Sequence, residues 1–489
     1  MAAAAQAQDI RLKSRDGGVE VTGRLLDFDG TSYRIETEFG PLTVEASQVV
    51  CEGEACPGAS GFVSELSVSG SQALAGDLFP TLLEAFARDR GLASQREISG
   101  DLNFGYALAD EDAQEVARIA FRVGSLTEAE EDLRSGASQI ALFDRPVTTD
   151  AANWSFARDA VVFVAAGDGP VTSIDYNQIP AILSGAIQNW SELGAEDQPI
   201  RLHLPARLHG VSDYLSEEFG VAEEEFSSDA ARHQDLAELV DAVAADPLAI
   251  GVARYSERGN AGTLALRASC GFELTPTRIG VKTGDYPLAL PISIYAEEAR
   301  LGLLGRDIVS YFQGPQAQAI VRLSGYVDLQ TEVETLSEQG DRLINAVSVA
   351  GTQVPVSELR RMASVLRGAE RLSMSFRFQP GSTELDAGSR SNVRRLSEAL
   401  LTGDLDGEEV VLIGFSDGVG AADGNRRIGA GRAQAVLDAV LQEATGLDET
   451  RVTLATESFG EAMPLACDDD EWGRDINRRV EVWLRGPQR

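Results

Sequence analysis

The sequence predicts a multidomain α/β protein: a small N-terminal β module, a larger α/β region with room for two lobes, and a C-terminal two-layer α/β sandwich. Three observations predict it. Hydrophobic residues recur with period two up to about residue 57, and short β-rich runs alternate with helical patterns from 63 to about 328. From Met374 onward the order is strand, helix, strand, helix, strand, strand. A length of 489 residues suits about three domains, each able to bury its own core.

In the first segment, 9–57, Tyr33, Ile35, Thr37 and Phe39 alternate with charged residues, and Leu42, Val44 and Ala46 continue the pattern beyond a Phe39-Gly40-Pro41 turn. Asp29-Gly30 marks another hairpin. The chain has four cysteines, and the spacing C-E-G-E-A-C at Cys51 and Cys56 fits a small local disulfide in an exported protein. A second bridge between Cys270 and Cys467 is left open by sequence. A lone C-x4-C has no second ligand pair of suitable spacing, so no metal site is expected.

In the second segment, 63–328, a helix is expected from about Ala73 to Arg88, with Leu74, Leu78, Leu82 and Phe86 at spacing four and Ser71 as its cap. It follows the glycine-serine turn of SVSGSQAL, and a strand, turn and helix in that order expose free N–H groups at the positive end of a helix dipole. An ordinary capped helix start reads the same way. Residues 329–370 look like a helical connector in which Ser357 caps a helix carrying Leu359, Met362 and Leu366. The last segment, 371–486, supplies the compact C-terminal domain.

Charge narrows the function. With 42 basic and 77 acidic residues the formal net charge is −35, so no nucleic acid or anionic lipid partner is expected. An anionic ligand must be held by local donors against the global field. The start, MAAAAQAQDI, has small residues at Ala5 and Ala7 and resembles the tail of a secretory signal. No run approaches the roughly 18 apolar residues of a membrane-spanning helix.

The stretch VVLIGFSDGVG contains Gly414-Phe415-Ser416-Asp417-Gly418, a G-x-S-x-G pattern that in an α/β-hydrolase presents a nucleophilic serine. Three histidines, His203, His209 and His233, all precede it, whereas that hydrolase order puts the base after the serine. No catalytic residue and no cofactor is expected. Asn425 and Arg432, seven apart on one helix, share a face about 10.5 Å apart along the axis. The Gly-rich residues 418–424 fold Asp417 back over that face. A carboxylate and a guanidinium with a gap between them match the ammonium and carboxylate of a free amino acid end. A direct Asp417–Arg432 salt bridge is the competing arrangement.

The segments FQPGSTELD, GFSDGVGAADGNRRIGAGRAQAV and FGEAMPLACDDDEWGRDINRRVEVWLR resemble the OmpA-like C-terminal domain, a peptidoglycan-binding module of outer-membrane proteins and lipoproteins. The resemblance covers about 110 residues. It implies that Asp417 and Arg432 clasp the diaminopimelate of the peptide stem, that Asn425 stands at the helix-start asparagine, and that Asn477-Arg478-Arg479 form the closing signature. Ser416 stands where a threonine is common, and Gly381 where some members place an asparagine.

The middle segment resembles the phosphate-binding proteins of ABC importers, with the two-lobed periplasmic-binding-protein fold, through SGSQAL, YNQIPAILSGAIQNWSELG, DPLAIGVARY and GDYPLALPISIY. The resemblance implies an anion between the lobes, held by Gly70, Ser71, Gln72, Ala73, Ser125, Asp144 and Arg207. At the family's S-G-T loop this chain has ARLHGVSDYL, which keeps Gly210 but puts His209 and Val211 where hydroxyl donors are expected. Each lost hydroxyl bond to a charged ligand costs about 1.5–3 kcal/mol, and a protonated His209 offsets part of that as a donor. These readings imply a periplasmic protein associated with the outer membrane or cell wall. Its expected partners are peptidoglycan, phosphate or another small oxyanion, and an ABC importer or other envelope protein. The alternative is a peptidoglycan-anchored scaffold whose middle domain binds proteins rather than an anion.

Overall fold

The computed structural model describes residues 9–486 except 15–18, 29–31, 38–39, 54, 57–62, 101–102, 148, 207–209, 299, 352–353, 379–381 and 383. The Asp29-Gly30 turn, Phe39, Gly381 and the Ala5 and Ala7 positions therefore lie outside the described residues. The chain forms two compact units, one of Met1–Phe156 with Ile292–Ser324 and one of Ala157–Pro291 with Gly325–Arg489. No described helix is long and apolar enough to cross a membrane.

The first unit begins with the β module. Strands β1 (Asp9–Ser14), β2 (Glu20–Phe28), β3 (Ser32–Thr37), β4 (Gly40–Glu45) and β5 (Val49–Glu52) form one antiparallel sheet in the order β4-β3-β2-β1-β5. Alternation buries Ile10, Leu12, Leu25, Tyr33 and Ile35 on one side. Cys51, within β5, is disulfide-bonded to Cys56 just beyond it. The buried Asp27 of β2 accepts the Leu303 amide, which fastens the module to the rest of its unit.

A second sheet in this unit has the order β7-β8-β9-β6-β10, from β6 (Ser64–Gly70), β7 (Ala93–Ile98), β8 (Asn103–Ala109), β9 (Glu115–Val123) and β10 (Ile140–Phe143). Strands β9 and β10 run parallel to β6, so the carboxyl ends of three strands share one edge. Between β6 and β7 the expected single helix is divided. Residues Gln72–Leu78 make a wide π-helical turn, with the Phe79 amide reaching the Leu74 carbonyl, and α1 (Phe79–Asp89) follows. Pro80 explains the division: it has no N–H for the carbonyl four residues back and its ring crowds that carbonyl. Helix α2 (Leu126–Ser135) follows β9.

In the second unit, the lobe 157–291 centres on parallel strands Arg201–Pro205, Ala231–His233 and Ala249–Arg254, with Val161–Ala165 antiparallel to the last. Its core includes Phe163, Trp190, Leu204 and Val252, all with less than 1% exposure. The C-terminal part is a five-stranded sheet whose order is Val333–Thr335, Ala369–Arg377, Arg479–Arg485, Glu409–Phe415, Thr453–Gly460. Helices Ala387–Thr402 and Ala422–Glu443 cover one face through Leu396, Val436, Val410 and Leu412. Met362, Leu366 and Ala346 of the 329–370 segment cover the other face at Val411, Ile413, Phe415 and Trp483. Coverage on both faces is why VVLIGF reads as an unbroken apolar run instead of an alternating one.

Gly414 and Gly429 allow the Ala422–Glu443 helix to lie directly on the Glu409–Phe415 strand: a Cβ on Gly414 would sit 1.9 Å from the Gly429 carbonyl oxygen. The first glycine of G-x-S-x-G is thus a packing requirement. On the opposite face, the lobe's Asp285 reaches Arg371 at 2.8 Å and Arg377 at 3.0 Å. Fully buried Glu481 accepts from Arg479 at 2.6 Å and also pairs with Arg342. Burial alone would raise the Asp285 carboxyl, but Arg371, then Arg342, Arg377 and Arg479, outweigh it and bring it down to about 2.

Two outcomes test this architecture. Gly414→Ala is expected to lower stability by about 1–3 kcal/mol through overpacking, read as a fall in the denaturation midpoint. Asp285 titrates lower in the folded than in the unfolded chain, where its pKa is about 3.9. Its contribution is therefore complete above that value and lost as pH falls toward about 2. Asp285→Ala is expected to cost roughly 3 kcal/mol near neutrality and to flatten the loss of stability between about pH 4 and 2 in thermal melts.

Candidate functional site

The Glu409–Phe415 strand delivers Ser416 and Asp417 into a turn closed by the Ala422–Glu443 helix. Two backbone features set that turn. Gly420 has φ of +106°, a region that favours glycine. At Gly418 a Cβ would meet Asp468 Oδ2 at 2.5 Å, and the Gly418 amide donates to that oxygen at 2.8 Å. Asp468 also accepts from Asn477 Nδ2 at 3.0 Å, and Asn477 Oδ1 accepts the Leu465 amide at 2.7 Å. In sequence, Asp468 is hidden in a run of three acidic residues, 468–470, whose pattern is that of a solvated surface.

The helix turns both Asn425 and Arg432 to its buried face. Asn425 donates to Glu461. Arg432 is 7% exposed and its Nη1 has no hydrogen-bond partner among the described residues; its guanidinium lies over the Phe378 ring at 5.4 Å from the centroid. Asp417 does not pair with Arg432. Its Oδ2 accepts instead from Arg478 Nη1 at 2.9 Å, and its Oδ1 accepts the Val419 amide at 3.2 Å. Burial lowers the Arg432 pKa, Arg478 lowers it further, and Asp417 opposes both. Two guanidiniums thus share the field of Asp417, and one of them has a buried donor left over. Ser416 Oγ, also buried, is a second donor without a partner among the described residues. Leaving a buried donor unsatisfied costs about 1–3 kcal/mol, which a bound carboxylate would recover. Of the three histidines, His209 lies outside the described residues, while His203 Nδ1 and His233 Nε2 are 2.9 Å apart and hydrogen-bonded to each other.

The residues of the first unit that are expected from sequence to hold an anion collect at the carboxyl edge of β6, β9 and β10. Gly70 ends β6 and its carbonyl accepts the Gly124 amide at 2.9 Å. Ser71 opens the wide turn without a side-chain cap bond, and Ala73 lies within that turn. Gln72 is exposed and donates to Asp77 at 3.1 Å. Asp144 follows β10, is 3% exposed and lies 3.6 Å from Arg145 Nε. Ser125 caps α2, but Glu128 accepts both its amide, at 2.7 Å, and its hydroxyl, at 2.9 Å. The donors that an anion would use are occupied by a carboxylate of the same chain. The capping-box spacing S-x-x-E was the available signal for Glu128.

Arg207 and His209 lie outside the described residues. Gly210 starts the helix Gly210–Phe219 of the second unit, where Val211 is fully buried. Buried Arg254, at the end of the Ala249–Arg254 strand, stands beside it: its Nη2 is 3.8 Å from the position of a Cβ on Gly210, and its Nη1 is 3.8 Å from Asp159. That arginine is the next-to-last residue of the run DPLAIGVARY, and sequence alone does not mark it, because a strand-terminal arginine carries no distinguishing spacing.

Residues 105–317 match the PBP superfamily domain, and residues 377–478 match the OmpA family. No curated protein sequence matches the chain. Among solved structures, an ABC-type phosphate transport receptor from Vibrio cholerae is 17% identical and covers 54% of this chain and 99% of its own, with a TM-score of 0.45. PstS from Borrelia burgdorferi is 18% identical, covering 54% and 98%, with a TM-score of 0.41. The peptidoglycan-associated lipoprotein from Burkholderia pseudomallei is 22% identical, covering 23% and 89%, with a TM-score of 0.20. The chain is a multidomain protein that carries a PBP superfamily domain followed by an OmpA family domain.

Proposed function

We propose that this is a periplasmic cell-envelope binding protein tethered to peptidoglycan through the free amino acid end of diaminopimelate. The observation that carries the proposal is the buried Arg432 Nη1 without a hydrogen-bond partner among the described residues, in the same turn-and-helix site as the Asp417–Arg478 pair. Arg432, aided by Ser416, grips the ligand carboxylate. Asp417 takes the ammonium, which competes with Arg478 for the same carboxylate oxygens. Asn425 acts through Glu461, holding the start of the helix. The exchange of one charged partner for another keeps Asp417 paired in both states, so binding does not strand a half-buried charge.

The PBP domain is read as a receptor for phosphate or a related small oxyanion, supported by the gathering of Gly70, Ser125 and Asp144 at one strand edge. A specific observation favours a second reading, an envelope scaffold that binds proteins: Glu128 already satisfies the Ser125 amide and hydroxyl. For phosphate to use those donors the Glu128 carboxylate must swing away, at the cost of the capping box, about 1 kcal/mol.

Co-sedimentation of the full chain with purified sacculi tests the tether. Asp417→Ala and Arg432→Ala are each expected to weaken binding at least about tenfold, the loss of one charge-assisted pair. Retention of wild-type binding by both variants would end the proposal. Titration calorimetry of the full chain with inorganic phosphate separates the two readings of the PBP domain. A receptor gives a saturable heat that Glu128→Ala strengthens, whereas no heat from either protein supports the scaffold.

A further inference from the structure

The peptidoglycan site is built partly on the neighbouring lobe of its own unit. The segment 467–478 faces two ways. On one side, Asp468 holds the Gly418 amide at 2.8 Å and Arg478 holds Asp417 at 2.9 Å. On the other side, Cys467 is disulfide-bonded to Cys270 of the lobe. Trp472 stacks on the lobe's Tyr176, with ring centroids 4.4 Å apart. Asp470 accepts from Asn177 at 2.9 Å and Asp469 from Ser269 at 2.9 Å. The disulfide and the carboxylate that holds the turn belong to consecutive residues, Cys467 and Asp468.

Steric fit makes this segment stiff. A Cβ on Gly473 would lie 1.9 Å from the Cys467 carbonyl oxygen, so the short helix Glu471–Asn477 lies against the disulfide-bonded residue. Asn477, 1% exposed, then ties Leu465 and Ala466 to the residue immediately before Arg478. The two apolar clusters of the C-terminal sheet are complete without any of these attachments. A cross-link placed elsewhere would constrain the unfolded chain just as well. Its place, one residue from Asp468, bears on the site.

We propose that Cys467, through Cys270, and Trp472, through Tyr176, are positioning residues for peptidoglycan binding: the lobe holds the 467–478 segment so that Asp468 fixes the Gly418 turn that presents Asp417 to the ligand. This rests on the tether reading above. The consequence is that the grip on the wall depends on a domain that the anchor itself does not contain.

The test compares full-chain proteins for sacculus affinity, at a temperature where melting curves show each variant folded. The double variant Cys270→Ser/Cys467→Ser is expected to bind about tenfold more weakly, equivalent to roughly 1.4 kcal/mol. Trp472→Ala is expected to weaken binding in the same direction, with Trp472→Phe restoring most of it, because a ring on Tyr176 is what positions the helix. If the double-cysteine variant and Trp472→Ala both bind as tightly as the wild type while Asp417→Ala binds at least about tenfold more weakly, the positioning role is overturned and the tether stands. A loss that merely follows the unfolded fraction overturns it as well. If Asp417→Ala and Arg432→Ala bind like the wild type, the tether reading fails, and this inference with it.

Discussion

The account depends on a guanidinium that is buried before its ligand arrives. Arg432 lies on the inward face of a long helix, with one nitrogen lacking a hydrogen bond among the described residues and a second arginine, Arg478, adding to its positive field. Such an arrangement is unfavourable unless the surrounding structure enforces it. The enforcement comes from below: Gly414 and Gly429 bring helix and strand into backbone contact, and Asn425 anchors the helix start to Glu461. The helix therefore cannot rotate Arg432 into water, and the unmet donor is a standing demand for a carboxylate.

The same rigidity extends through the sheet. Both faces of the Glu409–Phe415 strand are covered, one by the long helices and the other by the segment that precedes the domain. Behind it, Arg371, Arg479 and Glu481 are buried charges whose compensation includes Asp285, a residue of the PBP lobe. Removing that lobe would leave arginines buried without their full complement of carboxylates. Energetically, the OmpA domain of this chain is continuous with the lobe that precedes it, and the Cys270–Cys467 disulfide marks the same dependence covalently.

Much of this was legible in the sequence, and the pattern of what was not is physical. Period-two alternation exposed the β module because its sheet is wet on one side, and the seven-residue spacing of Asn425 and Arg432 exposed a shared helix face. Local geometry of that kind is written in neighbouring residues. The partner of Asp417 was not: Arg478 lies 61 positions away, brought in by a closing strand whose approach no local pattern reveals. The connector's burial was hidden for the same reason, since Met362 and Leu366 look like one helix's ordinary apolar face until the sheet they cover is known. At Pro80 the helical spacing was readable but the widened turn before it was not, because spacing-four periodicity is blind to a single extra residue per turn. Glu128 shows a subtler failure: its capping box is in plain view, but the spacing does not reveal that it takes both the amide and the hydroxyl of Ser125.

The central claim is that Asp417 and Arg432 read opposite ends of one zwitterion. Titration calorimetry of the full chain with free diaminopimelate, and with diaminopimelate whose amino groups are acetylated, tests it most directly. The account predicts saturable binding of the first and no measurable binding of the second, because Asp417 would lose its ammonium while Arg432 kept its carboxylate. Equal heats from both ligands would contradict it.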